Sequence, residues 1–440
     1  MRWLTFPRQG VSAERREVRA GAAPEAPRAR LRRAVTAGIA LAGVFLAALS
    51  AAPLRAAGGP SGSTASAAPC PPTTVPHRSA PPWAGLRRLV AGLTPGQPVA
   101  RIGAYYFDGW ANRCGFHFKG LLSPAFAGRE PLSGWHDGTA AAVRAQLSWA
   151  RRDGISFFIF DWYYHGRAAG ADNNVNAALR AYRSLPRHDH VGFALLYVDS
   201  GPFTVPPARW RSIVNRWITH DFVRPQYARV DGKPLLVVYS VGQFVDAFGS
   251  PAGATRALGE LQAAARAHGL PGVFVAGGTS LTTAYPLGVD FPRDTAAAGP
   301  WNAVTQYNYP GAGTLRVAGP HAGPNPYAQL VAAGEGQWNG FAATSPVPYI
   351  PVVMDGWDSR PWGETPYWYT RSPATFAGFV RAAIGWVRAN PKMRLAPARS
   401  RPLVFVEAWN ELGEGSYLVP TVGDGNRYGR ALASALGIWW

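Results

Sequence analysis

Short apolar runs alternate with amphipathic segments along most of the chain. Runs rich in Val, Ile, Leu and Phe are typical of strands buried on both faces, and such strands belong to parallel sheets. Eight runs fit this description, near residues 101–107, 155–161, 191–198, 234–240, 272–277, 303–309, 349–354 and 403–409. The pattern therefore predicts eight parallel strands.

Segments with the apolar spacing of helices lie between these runs. They are residues 138–152, 174–184, 206–218, 252–268, 325–333, 373–389 and 428–438. Repeated strand–helix units favour a closed (β/α)8 TIM barrel over an open doubly wound sheet. The sixth unit fits least well because its helix is short and rich in Gly and Pro. We expect residues 281–302 and 310–324 to be insertions over one face of the barrel.

The N-terminal region differs from this pattern. Residues 34–54 form an uncharged run rich in Ala and Leu, and four arginines between residues 28 and 33 precede it. We expect residues 1–57 to be an export signal or a membrane anchor, and both interpretations stay open because the run is long enough to cross a bilayer. Residues 58–82 predict a disordered Pro/Ala/Ser linker, and residues 83–440 the folded domain. The protein is thus expected to be exported, and either secreted or held in the cell envelope.

Charge and cysteine content narrow the function classes. The net charge is +19, and the first 57 residues contribute +7 of it, so basic residues are spread along the chain. No Lys/Arg run in the body alternates with aromatic residues, so a nucleic-acid partner is not expected. Cys70 and Cys114 are the two cysteines. After an export signal they suit one disulfide between the linker and the first loop, with two unpaired thiols as the alternative.

The strongest chemical signal is the segment LVFVEAWNELGEGSYLVP, residues 403–420. A buried strand runs directly into Glu411 and Glu414, and Gly413 and Gly415 supply the backbone freedom of a tight loop. Parallel barrels place their chemistry on the loops after the strands, and paired carboxylates are the usual acid and base of glycoside cleavage. The alternative is an N-cap and a surface charge. Glu407, inside the strand, is expected to be an interior acid with its hydrogen bonds satisfied.

Aromatic and acidic residues also follow the other predicted strands. They are Tyr105, Tyr106, Asp108, Trp110, Asp161, Trp162, Tyr163, Tyr164, Tyr197, Asp199, Tyr239, Gln306, Tyr307, Tyr309, Asp355, Trp357, Asp358, Trp409 and Asn410. Aromatic platforms beside carboxylates and amides suit the apolar faces and hydroxyl edges of sugars, so a glycan is the expected ligand.

Each class of residue has a structural alternative. Core packing is an equal alternative for Tyr105, Tyr197 and Tyr239, whereas the position of Trp162, Trp357 and Trp409 beside an acid or amide favours the cleft. The aspartates at positions 161, 199, 355 and 358 could cap helices. The cleft is favoured for Asp161 and Asp355, because a buried carboxylate needs a polar partner.

Other chemistries find no support in the sequence. It contains no HExxH, GxSxG, P-loop or GxGxxG motif, and its nine histidines are scattered. The one close pair, His188 and His190, precedes the third strand and so faces away from the predicted cleft. We therefore expect no metal and no organic cofactor.

Several motifs together resemble the glycoside hydrolase family 99-like group, which includes endo-α-mannosidase-type barrels and relatives associated with bacterial polysaccharides. Tyr105-Tyr106 is similar to the group's opening tyrosines, and residues 146–164 to its second unit. The stretch YARVDGKPLLVVY, residues 227–239, resembles its VDGKP strand entry. Gly356-Trp-Asp-Ser-Arg-Pro resembles its WDxxPR-like turn, and residues 409–420 its WNEWxEGxxLEP signature.

The resemblance implies retaining hydrolysis of an α-linked polysaccharide, with mannose-containing chains among the candidates. In this mechanism the 2-hydroxyl of the substrate attacks the anomeric carbon, an exception to the usual two-carboxylate scheme. By position, Glu411 would assist that hydroxyl as a base, and Glu414 would protonate the leaving oxygen. Leu412 and Val419 depart from the signature, where the group has tryptophan and an acid. A non-catalytic glycan-binding or envelope-assembly protein, and a sugar transferase, therefore remain alternatives.

Overall fold

The computed structural model describes most of the chain after residue 97. The described residues are 98–111, 113, 116–165, 175–186, 191–279, 301–311, 320–395 and 400–438. The predicted signal or anchor, the linker, Cys70 and Cys114 lie outside them, as do most of the two predicted insertions. Within the described residues, no helix is long and apolar enough to span a membrane.

Eight parallel strands form the centre of the fold. They are β1 Arg101–Tyr106, β2 Phe157–Tyr163, β3 Gly192–Val198, β4 Lys233–Val238, β5 Phe274–Gly278, β6 Ala303–Thr305, β7 Val352–Met354 and β8 Leu403–Glu407. Their order in the sheet is β6-β5-β4-β3-β2-β1-β8-β7. Val304 of β6 also pairs in parallel with Tyr349, just before β7, and so joins the two ends of the sheet. The predicted (β/α)8 barrel is confirmed.

Eight helices of the described residues follow the strands. They are α1 Ala140–Asp153, α2 Ala177–Ser184, α3 Pro207–Trp217, α4 Val241–Ala247, α5 Pro251–Ala267, α6 Tyr327–Thr344, α7 Pro373–Ala389 and α8 Arg427–Ala435. Side chains cap several N-termini: Thr139 accepts a hydrogen bond from the Ala142 amide, and Ser372 accepts one from the Thr375 amide. These caps explain why the helices begin where they do.

The helix of the sixth unit is longer than the sequence suggested. We expected a short helix near 325–333, but α6 continues to Thr344. The Trp338 ring stacks on Phe379 of α7 at a centroid distance of 5.0 Å, and the Phe341 ring stacks on Tyr349 at 4.3 Å. Burial of these large rings outweighs the helix penalty of the intervening glycines, which is about 1 kcal/mol each.

Alternation along the strands decides which side chains enter the barrel. The Tyr105 ring lies 4.8 Å from the Tyr307 ring inside the barrel, whereas the Tyr106 hydroxyl donates to Asp137 in the layer between barrel and helices. On β2, Asp161 points inward, while the Trp162 ring packs on Trp217 of α3 at 4.9 Å. Neighbouring strand residues face opposite ways, so an inward acid forces the residue after it outward.

Candidate active site

The glutamate pair lies on a short hairpin at the end of β8. Asn410–Glu411 pairs antiparallel with Ser416–Tyr417, so the chain reverses direction within a few residues. Gly415 has φ of +74°, and a side chain at this position would also collide with Asp358. The turn therefore requires glycine here. It holds Glu411 and Glu414 at the carboxyl end of the barrel.

Glu411 is held by a tyrosine hydroxyl inside the barrel mouth. The hydroxyl of Tyr307, from the segment after β6, lies 2.6 Å from Glu411 Oε1 and 3.2 Å from Asp161 Oδ2. The Tyr163 hydroxyl is 3.5 Å from the same Asp161 oxygen. Glu411 and Asp161 are each 3 % exposed. Glu411 Oε2 and Asp161 Oδ1 are buried and find no hydrogen-bond partner among the described residues.

Glu414 is held by the next residue of the same segment. Asn308 Nδ2 donates to Glu414 Oε2 at 3.2 Å, and the Glu414 side chain is half-buried. Tyr239, after β4, is also half-buried, and its ring lies 5.5 Å from that of Tyr307. Consecutive residues 307 and 308 contact one glutamate each, and the charge of Glu411 acts on Glu414, so the two carboxyl groups lie close together.

Burial shifts the acid–base properties of this group. It raises the pKa of Glu411 to about 8, against the opposing effect of the Tyr307 hydrogen bond. Burial, followed by the charges of Glu411 and Glu407, raises the pKa of Glu414 well above its usual range. Burial and the Glu411 charge do the same for Asp161. A site of this kind can hold one carboxyl protonated near neutrality while a neighbour ionises.

A second group of carboxyls, at the ends of β7 and β8, lies near Glu411 and Glu414. Asp355, after β7, accepts from the Ser416 hydroxyl at 3.0 Å and lies 3.4 Å from Arg371. Glu407 Oε2 lies 2.8 Å from the same hydroxyl, but Glu407 Oε1 has no partner among the described residues. Glu407 is buried as expected, but only one of its two carboxyl oxygens has a hydrogen-bond partner among the described residues.

The three tryptophans predicted to line the cleft pack inside the protein instead. Trp409 is fully buried and donates through Nε1 to Gln146 of α1 at 2.9 Å. Trp357 is also fully buried, with Nε1 3.2 Å from the Thr365 hydroxyl, and Trp162 packs against α3. For Trp162, the neighbouring acid was a misleading signal, because adjacent strand residues face opposite sides.

Other predicted site residues hold the loops in place. Asn410 binds both the amide and the carbonyl of Phe107 and donates to Asp137. Asp358 forms ion pairs with Arg129 and Arg360, which lower its pKa although burial opposes them. Neither side chain contacts Glu411 or Glu414 through these bonds.

The two other aspartates at strand ends also bind backbone groups. Asp108 accepts from the amides of Ala178 and Leu179 and so caps α2. Asp199 accepts from the Ser240 amide at 2.9 Å, just before α4. Each aspartate therefore contacts the strand–helix unit after its own. The sequence around a single strand does not show this role.

Two residues of the site were missed in the sequence analysis. Asn308 lies between two tyrosines that were singled out, and its place after β6 was the available signal. Glu364 lies in the long loop after β7, and its charge raises the pKa of both Glu411 and Glu414. No motif in the sequence connects this loop residue with the pair.

Comparisons with known proteins agree with the barrel. A solved structure described as a glycoside hydrolase-like protein is 16% identical, with a TM-score of 0.55 over 78% of this chain and 95% of that one. The GH99 endo-alpha-mannosidase from Bacteroides thetaiotaomicron is 13% identical, with a TM-score of 0.49 over 77% of this chain and 96% of that one. At these identities the likeness concerns the fold alone. None of the curated proteins compared with the chain matches it.

A protein-family model gives the more specific result. The model described as "Glycosyltransferase WbsX" matches residues 207–432, about half of the chain. The match includes the segment after β6 with Tyr307 and Asn308, and the hairpin with Glu411 and Glu414. The chain belongs to the WbsX family.

Proposed function

We propose that the protein hydrolyses α-linked polysaccharide with retention of configuration, with Glu411 and Glu414 as the reacting carboxyl groups. The observation that supports this most is the placement of the pair on adjacent residues of one segment, where Tyr307 holds Glu411 at 2.6 Å and Asn308 holds Glu414 at 3.2 Å. Mannose-containing chains are candidate substrates, because the resemblance to endo-α-mannosidase-type barrels includes residues 409–420, which carry both glutamates.

The proposed reaction has two steps. In the first, the substrate 2-hydroxyl gives its proton to Glu411 and its oxygen bonds to the anomeric carbon. The bond to the leaving oxygen breaks, and that oxygen takes the proton of Glu414. In the second step, Glu414 takes a proton from water as the water oxygen bonds to the anomeric carbon. The three-membered ring opens, and Glu411 returns its proton to the 2-oxygen.

The surroundings of the two glutamates suit these different roles. Glu411 receives a hydrogen bond from the Tyr307 hydroxyl, which stabilises its ionised form. Glu414 receives one longer contact from an amide and has a strongly raised pKa, so it keeps its proton near neutrality. We therefore expect Glu411 to ionise first and serve as the base, while Glu414 serves as the acid.

Substitution of each glutamate tests hydrolysis against simple binding. Glu411→Gln and Glu414→Gln should abolish the release of reducing ends from α-linked polysaccharides while glycan binding, measured by calorimetry, is largely kept. Glu335→Gln on the exposed side of α6 is a matched control that should keep full activity. Binding without release by the wild-type protein, across α-mannan, α-glucan and envelope polysaccharides, would favour a non-catalytic glycan-binding or envelope-assembly protein.

The departures from the family signature bear on that alternative. Leu412 and Val419 are both buried, with exposures of 0 % and 2 %. They therefore change the packing of the hairpin and add no charge beside the two glutamates. This favours a change in substrate preference over the loss of both reacting groups.

A sugar transferase using the same cleft is the second candidate function. The description of the family model as a glycosyltransferase favours it. With an acceptor alcohol present in water, a transferase would give mainly the alkyl glycoside, and a hydrolase mainly free reducing sugar. Chromatographic analysis of the products with and without the alcohol distinguishes the two.

Export to the cell envelope or the medium is part of the proposal, on the basis of the arginine-flanked apolar run 34–54. Sequencing of the N-terminus of the protein recovered from medium and membrane fractions would distinguish a cleaved signal from a retained anchor. Recovery of the intact chain from the cytoplasm alone would contradict export.

A further inference from the structure

Two carboxyl groups that the proposed reaction does not use lie below the glutamate pair. Glu407 is the last residue of β8, Asp355 follows β7, and both are 0 % exposed. The Ser416 hydroxyl lies between them, 2.8 Å from Glu407 Oε2 and 3.0 Å from Asp355 Oδ1. Because burial of an ionised carboxylate is costly, the protonation state of these groups needs an explanation.

The hydrogen bonds of Ser416 require an additional proton. Its hydroxyl oxygen also lies 2.7 Å from the backbone carbonyl of Glu407, so three oxygens surround it within hydrogen-bond distance. A hydroxyl has one hydrogen to donate, although it can also accept. A carbonyl oxygen cannot donate, so at least one of the two carboxyls carries a proton that it donates to Ser416.

Charged neighbours indicate which carboxyl this is. Arg371 Nη2 lies 3.4 Å from Asp355 Oδ1, and its Nε donates to the Asp355 carbonyl at 3.1 Å. Glu407 Oε1 and Asp355 Oδ2 both lack a hydrogen-bond partner among the described residues, but Glu407 forms no ion pair there, so the arginine is what distinguishes the two acids. An arginine stabilises the ionised form of the carboxyl that it contacts, so the proton belongs on Glu407.

Acidic groups outnumber cations among the remaining neighbours of Glu407. The titratable and charged groups that face it from the packed elements are Asp355, Arg371, Glu411, Glu414, Tyr105, Tyr309 and Tyr327. Arg371 is the single cation in this set, and it is already bound by Asp355 and Asp424. Burial, followed by the Asp355 charge, raises the pKa of Glu407 well above its usual range.

We propose that Glu407 is protonated at neutral pH, donates its proton to Ser416, and thereby positions the hairpin that bears Glu411 and Glu414. Ser416 in turn shares its one hydrogen between the Glu407 carbonyl and Asp355 Oδ1, which ties the end of the hairpin to the ends of β8 and β7. A neutral Glu407 also adds no negative charge beneath Glu411, which has to ionise as a base. Only this last consequence rests on the proposed function.

Infrared spectroscopy of the full chain tests the proton directly. At neutral pH, the difference spectrum between wild type and Glu407→Gln should show the loss of one protonated-acid carbonyl band. Asp358→Asn, which removes a carboxylate held by two arginines, should leave that band unchanged. Loss of carboxylate absorption alone in Glu407→Gln would overturn the proposal.

A second variant keeps the test decisive if Glu407→Gln does not fold. Ser416→Ala keeps the acid but removes its acceptor, so the band should persist and move to higher frequency. An unmoved band would overturn the assignment of the hydrogen bond.

The pH dependence of unfolding provides an independent measurement. A carboxyl with a raised pKa in the folded state stabilises the protein at low pH, and this contribution is lost as pH rises above the unfolded value of about 4.3. The unfolding equilibrium constant of wild type, relative to Glu407→Gln, should therefore rise by up to about tenfold per pH unit above that value. A ratio that stays constant, or falls, would contradict the proposal.

Turnover then tests the positioning role. Glu407→Gln retains a neutral donor to Ser416, so the pH profile of hydrolysis should keep both limbs. Glu407→Ala removes the donor, and should lower kcat by about tenfold, the equivalent of one net hydrogen bond, with KM little changed. A shift of the pH profile in Glu407→Gln would show that Glu407 acts through a negative charge, and would contradict the proposal that it is protonated. If the infrared band is present but no glycan is cleaved, the proton assignment stands and the proposed function fails.

Discussion

Tyr307→Phe tests whether the Tyr307 hydroxyl supports Glu411 as the base. The variant removes the hydroxyl that lies 2.6 Å from Glu411 Oε1 and leaves the ring in place. A hydrogen bond to a charged group is worth about 1.5–3 kcal/mol, and one pKa unit corresponds to about 1.4 kcal/mol. Loss of this donor should therefore raise the pKa of Glu411 by about 1–2 units.

The sign of the kinetic effect follows from the role of Glu411. A base has to be ionised, so the acidic limb of the profile of kcat/KM against pH should move to higher pH by the same amount. The assay is the release of reducing ends from the best glycan substrate, followed over the stable pH range. Tyr309→Phe is the control, because the Tyr309 hydroxyl donates to the backbone carbonyl of Val352 at 2.9 Å and forms no hydrogen bond with a carboxylate of the described residues. An acidic limb that stays in place in Tyr307→Phe, or moves to lower pH, would refute the assignment of Glu411 as a base supported by this hydroxyl.

Three further predictions concern stability and packing. Burial raises the pKa of Asp153 to about 7, so this group stabilises the protein at low pH, and the contribution is lost as pH rises from about 4 to 7. In urea unfolding, the free energy of unfolding of Asp153→Asn, relative to wild type, should therefore rise by about 1.4 kcal/mol per pH unit across that window. Trp409→Phe loses the hydrogen bond to Gln146 and should lower the unfolding free energy by about 1 kcal/mol. Its glycan affinity, measured by calorimetry, should be unchanged. A fall in affinity would show that this ring contacts the glycan. Gly413→Ala places a methyl group against the ring of Trp362. In denaturant unfolding it should lower the free energy of unfolding by about 1–3 kcal/mol, and it should change the tryptophan fluorescence. A variant as stable as wild type would contradict this packing.

The barrel could be predicted from the sequence because its signal is local. Each apolar run forms a strand within a few residues of its predicted place, as in Leu403–Glu407, because buried parallel strands need continuous apolar sequence. The place of the glutamate pair followed from the strand that precedes it. The length of α6 could not be predicted from the sequence. Its glycines disfavour a helix, but this cost is offset by the burial of rings that pack on Phe379 and Tyr349 from other units.

The finer geometry of the site depends on contacts that no local pattern encodes. Trp162 and Trp409 stand beside polar residues in the sequence, yet their rings face the helix layer. Asn308 and Glu364 come from separate loops and meet the pair only through the folding of the barrel. The proton on Glu407 follows from three oxygens around one hydroxyl, an arrangement visible only in three dimensions.

A comparison of two leaving groups tests the central claim most directly. Glu414→Gln and Glu411→Gln are assayed on an α-linked glycan and on an aryl glycoside of the same sugar, whose leaving group departs without protonation. The account predicts that Glu414→Gln loses the glycan but keeps the burst of phenol release from the aryl glycoside, while Glu411→Gln loses both. Equal loss of both substrates in Glu414→Gln, or full activity in either variant, would contradict the assignment of an acid and a base to this pair.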